Sequence, residues 1–539
     1  MNVLPLKLRR LSRLRPRHYA GGICVFAFLL VLYGGSLNAV YSAGDTPLRQ
    51  VWQNLWQDAY LKRILWFSFM QSGLSALLSV IFGVLFARAF FYRLFRGKTV
   101  LLRLFSLTFV LPSLVAVFGL LGVYGGSGWL AQTARFFHLN WQPDIYGLPG
   151  ILIAHLFFNL PLAARLFLQS YQAIPNQQRQ LAAQLGIRGW QFVRLIELPY
   201  LRQQFFPASV LIFMLCFTSF AIVLTLGGGP QYSTLEVAVY QAIIFDFDLA
   251  GAALYASLQI VFGLLLFGIG NLAGKIPEGQ LSQRELWFAQ QSSAVGFLQI
   301  LVIVVATVFI VLPLGNIVAG ALFSQQFFSA WQNPQLWRAM GYSFTIAPSS
   351  AFLSLLMAVA LLQLVRRLNW LKLPFLARLL MNGGMLILAV PMLVLAVGLF
   401  LQLQRLDFGT AHLFVVVVLC NALTALPFAI RILAVPMNNN MQYYENLCQS
   451  LGIRGWQRFR LIEWQNLAPS MKYAFALATA LSLGDFTAIA LFGGQDFTSL
   501  PYLLYQQLGS YRGDEASVTA LVLLLVCFGL FLAVEKQYD

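Results

Sequence analysis

Arg96-Gly97-Lys98-Thr99 carries the residue types that grip a nucleotide phosphate: a glycine, a lysine and a hydroxyl. A phosphate-binding loop also needs a glycine five residues before Gly97, and that position is Tyr92. The segment runs into an apolar stretch rather than out of a strand, so it reads as a short basic loop. The histidines His18, His138, His155 and His412 are scattered and form no catalytic constellation. The cysteines Cys24, Cys216, Cys420, Cys448 and Cys527 make no metal or redox spacing. Neither an enzyme nor a metal site is expected. Two features remain. Asp485, in "LSLGDFTAIA", is an acid inside an apolar run, where a carboxylate is expensive and usually faces a cavity or a partner. An arginine-rich peptide also occurs twice, as "QLGIRGWQFVRLIE" (Gln184–Glu197) and "SLGIRGWQRFRLIE" (Ser450–Glu463). From Leu185 onward the copies differ only at Phe192/Arg458 and Val193/Phe459.

The elements that must position these residues are membrane spans. The chain is 59% hydrophobic and only 10% charged, too few charges for a water-covered surface of this length. Apolar segments of bilayer length fall near 19–40, 66–90, 104–126, 148–170, 206–226 and 249–270, then 293–318, 344–365, 382–403, 412–434, 472–492 and 516–535. An all-α integral membrane protein with twelve spans is predicted; a barrel would alternate in short strands. The net charge of +17 does not point to nucleic acid. With the N-terminus placed in the cytoplasm, most Lys and Arg fall on cytoplasmic segments, the positive-inside pattern. The arm holding Lys7, Arg9, Arg10, Arg13, Arg15 and Arg17 is then an orientation signal facing anionic lipid. "NAVYSAG" offers a signal-peptide cleavage site near Ala43, but removing the first span would leave unequal halves, so it is expected to stay.

The halves are equal because the chain is duplicated. At an offset of 266, "NLPLAAR" (Asn159–Arg165) meets "ALPFAIR" (Ala425–Arg431), and "FAIVLTLGG" (Phe220–Gly228) meets "FTAIALFGG" (Phe486–Gly494). Upstream, Pro112 and Gly119 meet Pro391 and Gly398, and Ser68-Phe69 meets Ser343-Phe344. Residues 1–275 and 293–539 are thus two versions of one six-span unit joined by a cytoplasmic linker, 276–292. Six spans return the chain to its starting side, so the repeats are parallel, about an axis along the membrane normal. Pro161 and Pro427 occupy matching places in the fourth spans; a kinked gate helix is one reading, and a packing kink is preferred.

Each repeat places its copy of the peptide in its longest cytoplasmic connection, about 171–204 and 435–471. A short helix over Leu181–Leu185, stopped by Gly186, is predicted, with Gly452 as its counterpart. Interfacial helices anchored by Trp190 and Trp456 are one reading. The near-identity of the copies favours another: two equivalent handles for a paired partner.

These loops resemble those of type I ABC importer permeases, whose pattern E-A-A-x-x-x-G is followed by I-x-L-P. Gly186, Ile196, Leu198 and Pro199 fall at the family spacing, as do Gly452 and Ile462. Gln180 and Asn446 replace the family's glutamate, and Gln465 the second proline. The resemblance implies the MetI-like fold and coupling helices that dock on two copies of an ABC ATPase, which would hold the ATP and magnesium; no cofactor is expected in this chain. The residues so implied are Gln180, Leu181, Ala182, Ala183, Leu185, Gly186, Arg188, Glu197 and Pro199, and Leu447, Cys448, Leu451, Gly452, Arg454 and Glu463. Fused halves typify a branch that includes thiamine and ferric-iron permeases. "FFNLPLAARL", "LIFMLCFTSFAIVLTLGGGPQ" and "LYQQLGSYR" resemble the thiamine members.

The resemblance further implies a periplasmic thiamine-binding protein that docks on the outer loops, with Gly228, Gly229, Gln231, Gly494, Gln495, Tyr511 and Arg512 as candidate contacts, beside "FDFD" (Phe245–Asp248). For thiamine, a cation with aromatic rings, Asp485 and Phe486, with Ser219 and Phe220 in the first copy, are candidate pathway residues; its phosphates are a further candidate cargo. A structural role for Asp485 is the equal alternative. The rival readings are a ferric-iron permease and an ion-coupled secondary transporter, the latter expected to carry several intramembrane ionisable groups.

Overall fold

The computed structural model describes residues 16–42, 58–139, 141–272, 293–388, 390, 392–403, 410–453, 455–494 and 497–535. The basic arm through Arg15, the linker 276–292, and the candidate residues Arg454 and Gln495 lie outside them. Every regular element among the described residues is helical. Eleven helices are long and apolar enough to cross a bilayer. In the first copy they are span 1 (Ala20–Ala39), span 2 (Ala59–Tyr92), span 3 (Ser113–Phe136), span 4 (Leu148–Gln172), span 5 (Gly189–Phe217) and span 6 (Leu249–Gly270). In the second copy they are span 1′ (Ser293–Leu322), span 2′ (Pro334–Trp370), span 4′ (His412–Ser450), span 5′ (Arg460–Phe492) and span 6′ (Gly513–Ala533).

The twelfth expected span, 382–403, is not one rod. It is divided into Pro374–Gly384, a 3-10 turn at Leu386–Leu388 and Met392–Leu403. The expected span 104–126 is divided in the same way, into Lys98–Val110 and Ser113–Tyr124. The first break falls at Leu111-Pro112, where proline lacks an N–H and drives the preceding residue out of helical geometry. The fifth spans break too, at Thr218-Ser219 and at Asp485-Phe486, each followed by a short helix (Phe220–Leu226, Thr487–Phe492). A further helix (Leu235–Ile244, Leu500–Gly509) then precedes each sixth span. Its start is tied to span 2 by equivalent bonds: Leu235 N–H donates to Ser68 Oγ at 3.0 Å, and Leu500 N–H to Ser343 Oγ at 2.8 Å.

Packing does not follow the repeat boundary. One compact unit holds spans 2 to 5 together with span 1′; the other holds span 1 with spans 2′, 4′, 5′ and 6′, the helices Pro374–Gly384 and Met392–Leu403, and residues 239–260. Matching glycines make both exchanges possible. A Cβ on Gly119 would stand 2.6 Å from the Pro313 carbonyl oxygen of span 1′, and one on Gly398 would overlap the Ser36 carbonyl of span 1. Small residues allow such close helix approach where lipid removes the hydrophobic drive between helices. Within the first unit buried polar groups add to this, with Ser75 Oγ 2.9 Å from His155 Nδ1 and Asn159 Nδ2 donating to Cys216 Sγ at 3.3 Å. In the other, Asn421 Nδ2 donates to Ser482 Oγ at 3.0 Å. Large apolar side chains such as Val31, Trp66, Phe297 and Phe352 stay exposed on the spans, as a lipid-facing surface requires.

Candidate functional site

The repeated peptide is helical along most of its length. In the first copy the helix Asn176–Gln184 ends in a paired C-terminal closure: Gly186 N–H donates to Ala183 O at 3.1 Å, and Ile187 N–H to Ala182 O at 2.9 Å. Gly186, at φ +69°, supplies the left-handed residue this needs; Gly452, at φ +66°, does so in the second copy, with Ile453 N–H on Cys448 O at 2.9 Å. The helix is longer than the predicted Leu181–Leu185. In the second copy it is not separate at all, because span 4′ runs unbroken from Thr410 to Ser450. Pro175 interrupts the first copy, whereas Met441 holds the matching position in the second. Beyond the glycine, Gly189–Phe192 and Gly455–Arg458 are single helical turns. Val193–Glu197 and Phe459–Glu463 are then π-helical and lead straight into the long helices of the fifth spans, Leu198–Phe217 and Trp464–Gly484. Wide turns of this kind recur at functional sites.

The peptide has an outward and an inward face. Gln180, Leu181, Leu185, Gly186, Arg188, Trp190 and Pro199 are exposed, as are Leu447, Leu451 and Gly452. Leu181 and Leu185 at 54% and 66%, and Leu447 and Leu451 at 48% and 63%, form matching apolar knobs. Ala182, Cys448, Glu197 and Glu463 are buried, and Ala183 is half-buried. The two glutamates therefore hold the peptide from behind. Glu197 accepts from Arg88 Nε and from Tyr92 Oη, both at 2.9 Å and both from span 2. Glu463 accepts from Arg366 Nη2 of span 2′ at 2.7 Å and from Arg458 Nε at 3.0 Å. Arg458 also donates to Glu445 at 2.5 Å, which Arg367 meets at 2.9 Å. The position matching Glu445 is Arg179, whose guanidinium donates to Tyr171 O at 2.6 Å and lies 4.7 Å from the centre of the Phe91 ring. Burial lowers the Arg179 pKa, and its distant charged neighbours do not reverse that. Burial pulls Arg458 down as well, but the bond and charge of Glu445 and the charge of Glu463 outweigh it, so its pKa is raised. Sequence reasoning missed Arg88, Arg179, Arg366 and Arg367, because basic residues at a span end already fit the orientation signal, and it missed Glu445, because its partner Arg367 lies far away in sequence.

The other candidates lie apart from this peptide along the chain. Asp485 sits at the break in span 5′, not within a helix. Its Oδ1 accepts from Thr487 N–H at 2.9 Å and its Oδ2 from Thr424 Oγ1 at 3.2 Å. Phe486 is buried against Tyr505 and Tyr502, with ring centres 4.9 Å and 6.3 Å away. Ser219 holds the matching break, and Phe220 beside it is buried. Gly228 and Gly229 adopt positive φ in an exposed turn, Gln231 is exposed and Gly494 half-buried. Exposed aromatics in left-handed geometry follow both helices that precede the sixth spans: Phe247 at φ +52° and Tyr511 at φ +56°, with Arg512 exposed beside the latter. Among the described residues no group of three or more His, Cys, Asp or Glu could hold a metal ion.

The family model described as "Binding-protein-dependent transport system inner membrane component" matches residues 79–275 and 371–535, one segment in each repeat. A thiamine transport system permease protein of Haemophilus influenzae is 58% identical over 527 residues, covering 98% of this chain and 97% of that protein. The proteins of that description from Salmonella typhimurium and Escherichia coli are 43% and 45% identical over 96% and 90% of this chain, and over the same shares of their own lengths.

Proposed function

Because the chain belongs to the binding-protein-dependent transport system inner membrane component family, we propose that it is the permease through which a bacterial ABC importer carries thiamine across the inner membrane. The protein is a multi-pass membrane transport component. The observation that carries the mechanism is the pair of matching outward knobs, Leu181 with Leu185 and Leu447 with Leu451, each ended by a left-handed glycine. Two equal handles on one chain suit two copies of one ATPase subunit, which would bind ATP and magnesium and keep both termini of this chain on their cytoplasmic side. Closure of the ATPase pair moves the two peptides. Each peptide is continuous with a fifth span through its π segment, so the spans shift and the path opens to alternate sides.

On the opposite side, a secreted thiamine-binding protein docks over the turns at Gly228, Gly229 and Gln231, at Gly494, and at Tyr511 and Arg512. The Asp485 carboxylate and the Phe486 ring border the path of the cation, with Ser219 and Phe220 as counterparts. Thiamine phosphates are the further candidate cargo. The test is uptake of labelled thiamine into proteoliposomes holding the permease, its ATPase and its binding protein. Uptake that requires ATP and the binding protein is expected. Uptake without ATP overturns the importer reading, and ATP-driven uptake of another solute alone overturns thiamine.

A further inference from the structure

A cavity of about 480 Å³ lies beside the peptide of the second copy. Span 2′ lines it with Arg366, Asn369 and Trp370, and span 4′ with Asn438, Met441 and Gln442. Each set is spaced at three and four residues, so each lies on one face of its helix. In the first copy Pro175 stands where Met441 does and interrupts the helix, so that face is not continuous there. The remaining lining residue is Lys372. Its N–H donates to Asn369 O at 3.0 Å, and Leu373 N–H to Leu368 O at 2.9 Å. This is the closure that ends the helix at Gly186, but here a lysine holds the left-handed place, at φ +56°. Glycine would sit there without strain, and a strained residue at a cavity points to a use for its side chain. Lys372 is exposed and has no acidic partner among the described residues. The wall behind it is positive as well. Arg366, Arg367 and Arg458 share two carboxylates, Glu445 and Glu463, which leaves one guanidinium charge in excess. Arg366 Nη1 is buried with no hydrogen-bond partner. Among the described residues no acid lines the cavity, and three amides and an indole bring N–H donors to it.

We propose that this cavity is a phosphate-binding site. Lys372 and Arg366 attract the oxyanion, the amides of Asn369, Asn438 and Gln442 donate to it, and the Trp370 ring lies against the rest of the ligand. The headgroup of an anionic lipid and a free phosphate compound offer the same oxygens. The lipid is close at hand, because the cavity sits at the end of two spans, where Lys, Arg and Trp meet headgroup phosphate. Arg366 also holds Glu463, so a ligand here braces the buried carboxylate behind the outward peptide of the second copy. Binding does not depend on which cargo the protein carries.

The test uses the full-length protein, purified in a neutral detergent and stripped of lipid. Saturable binding of labelled phosphatidylglycerol is titrated, with diacylglycerol and inorganic phosphate as competitors. Lys372→Gly keeps the left-handed closure and removes the charge, so it is expected to hold the parental melting temperature and to weaken binding about fivefold. Asn438→Leu removes a donor from the opposite wall at constant charge and is expected to cost about fivefold as well; it decides alone if Lys372→Gly melts lower. Arg338→Gln removes an exposed charge near the other end of span 2′, about 42 Å away along the helix, and is expected to leave affinity within about twofold. Diacylglycerol, which lacks the phosphate, should not compete. Competition by inorganic phosphate adds free phosphate compounds to the ligands of the site, and lack of it assigns the site to the lipid. Absence of saturable binding, parental affinity in either cavity variant, an equal loss in Arg338→Gln, or competition by diacylglycerol overturns the proposal.

Discussion

A Cβ added at Gly186 or Gly452 would meet nothing within 4 Å, so the cost of substitution there is conformational alone. At φ +69° and +66° a β-branched residue loses about 1–2 kcal/mol, enough to unwind the helix end without disturbing the spans. Gly186→Val and Gly452→Val are expected to keep the parental melting temperature and to lose thiamine uptake per ATP hydrolysed; normal transport in both counts against docking at these ends. Asp485 separates charge from structure equally well. Asparagine keeps an oxygen for Thr487 N–H and a partner for Thr424, and removes only the charge. Asp485→Asn is expected to reduce uptake while ATPase activity persists. Unchanged uptake assigns the residue to the helix break alone. At this scale the glycines were legible, because a helix end followed by left-handed backbone leaves a known residue signature. The charges behind the peptide were not, because their partners lie on spans far away in sequence, as with Arg88 and Glu197.

From Gly189 and Gly455 onward the repeated peptide and the fifth span form one rod, with a π turn in each copy. The chain is α-helical from Trp464 onward, so inserting one residue directly after Glu463 rotates the peptide against the fifth span by about 100°. Glu463 then leaves Arg366. That insertion is expected to abolish co-purification of the ATPase subunit, while a one-residue insertion in the outer turn between spans 5′ and 6′ should retain it. Hydropathy located the spans but hid their breaks, because a window that averages apolar residues reads through Leu111-Pro112. It equally cannot tell π from α over a single turn. The interruption at Pro175 was legible in principle, as proline marks it, and so was its loss at Met441.

The first spans are exchanged between the repeats, so neither half of the sequence contains a complete packing unit. Residues 1–275 alone leave Gly119 without Pro313, and residues 276–539 leave Gly398 without Ser36. The halves expressed singly are expected to be degraded and to be recovered together on co-expression; a stable single half contradicts the exchange. Gly398→Leu should cost about 1–3 kcal/mol, read as a lower melting temperature of the detergent-solubilised protein. None of this was visible in the repeat pattern, since an apolar helix carries no address for its neighbour. The arrangement also sets a schedule on the ribosome. Gly22 packs against the Ala360 carbonyl, so span 1 reaches the bilayer long before its neighbour is made. At about 5–20 residues per second, the first span must wait in lipid for roughly 15–70 seconds while the intervening chain is translated. During that interval it is an orphan helix, open to capture by quality-control proteases or by the wrong neighbour, and synthesis speed becomes a determinant of yield.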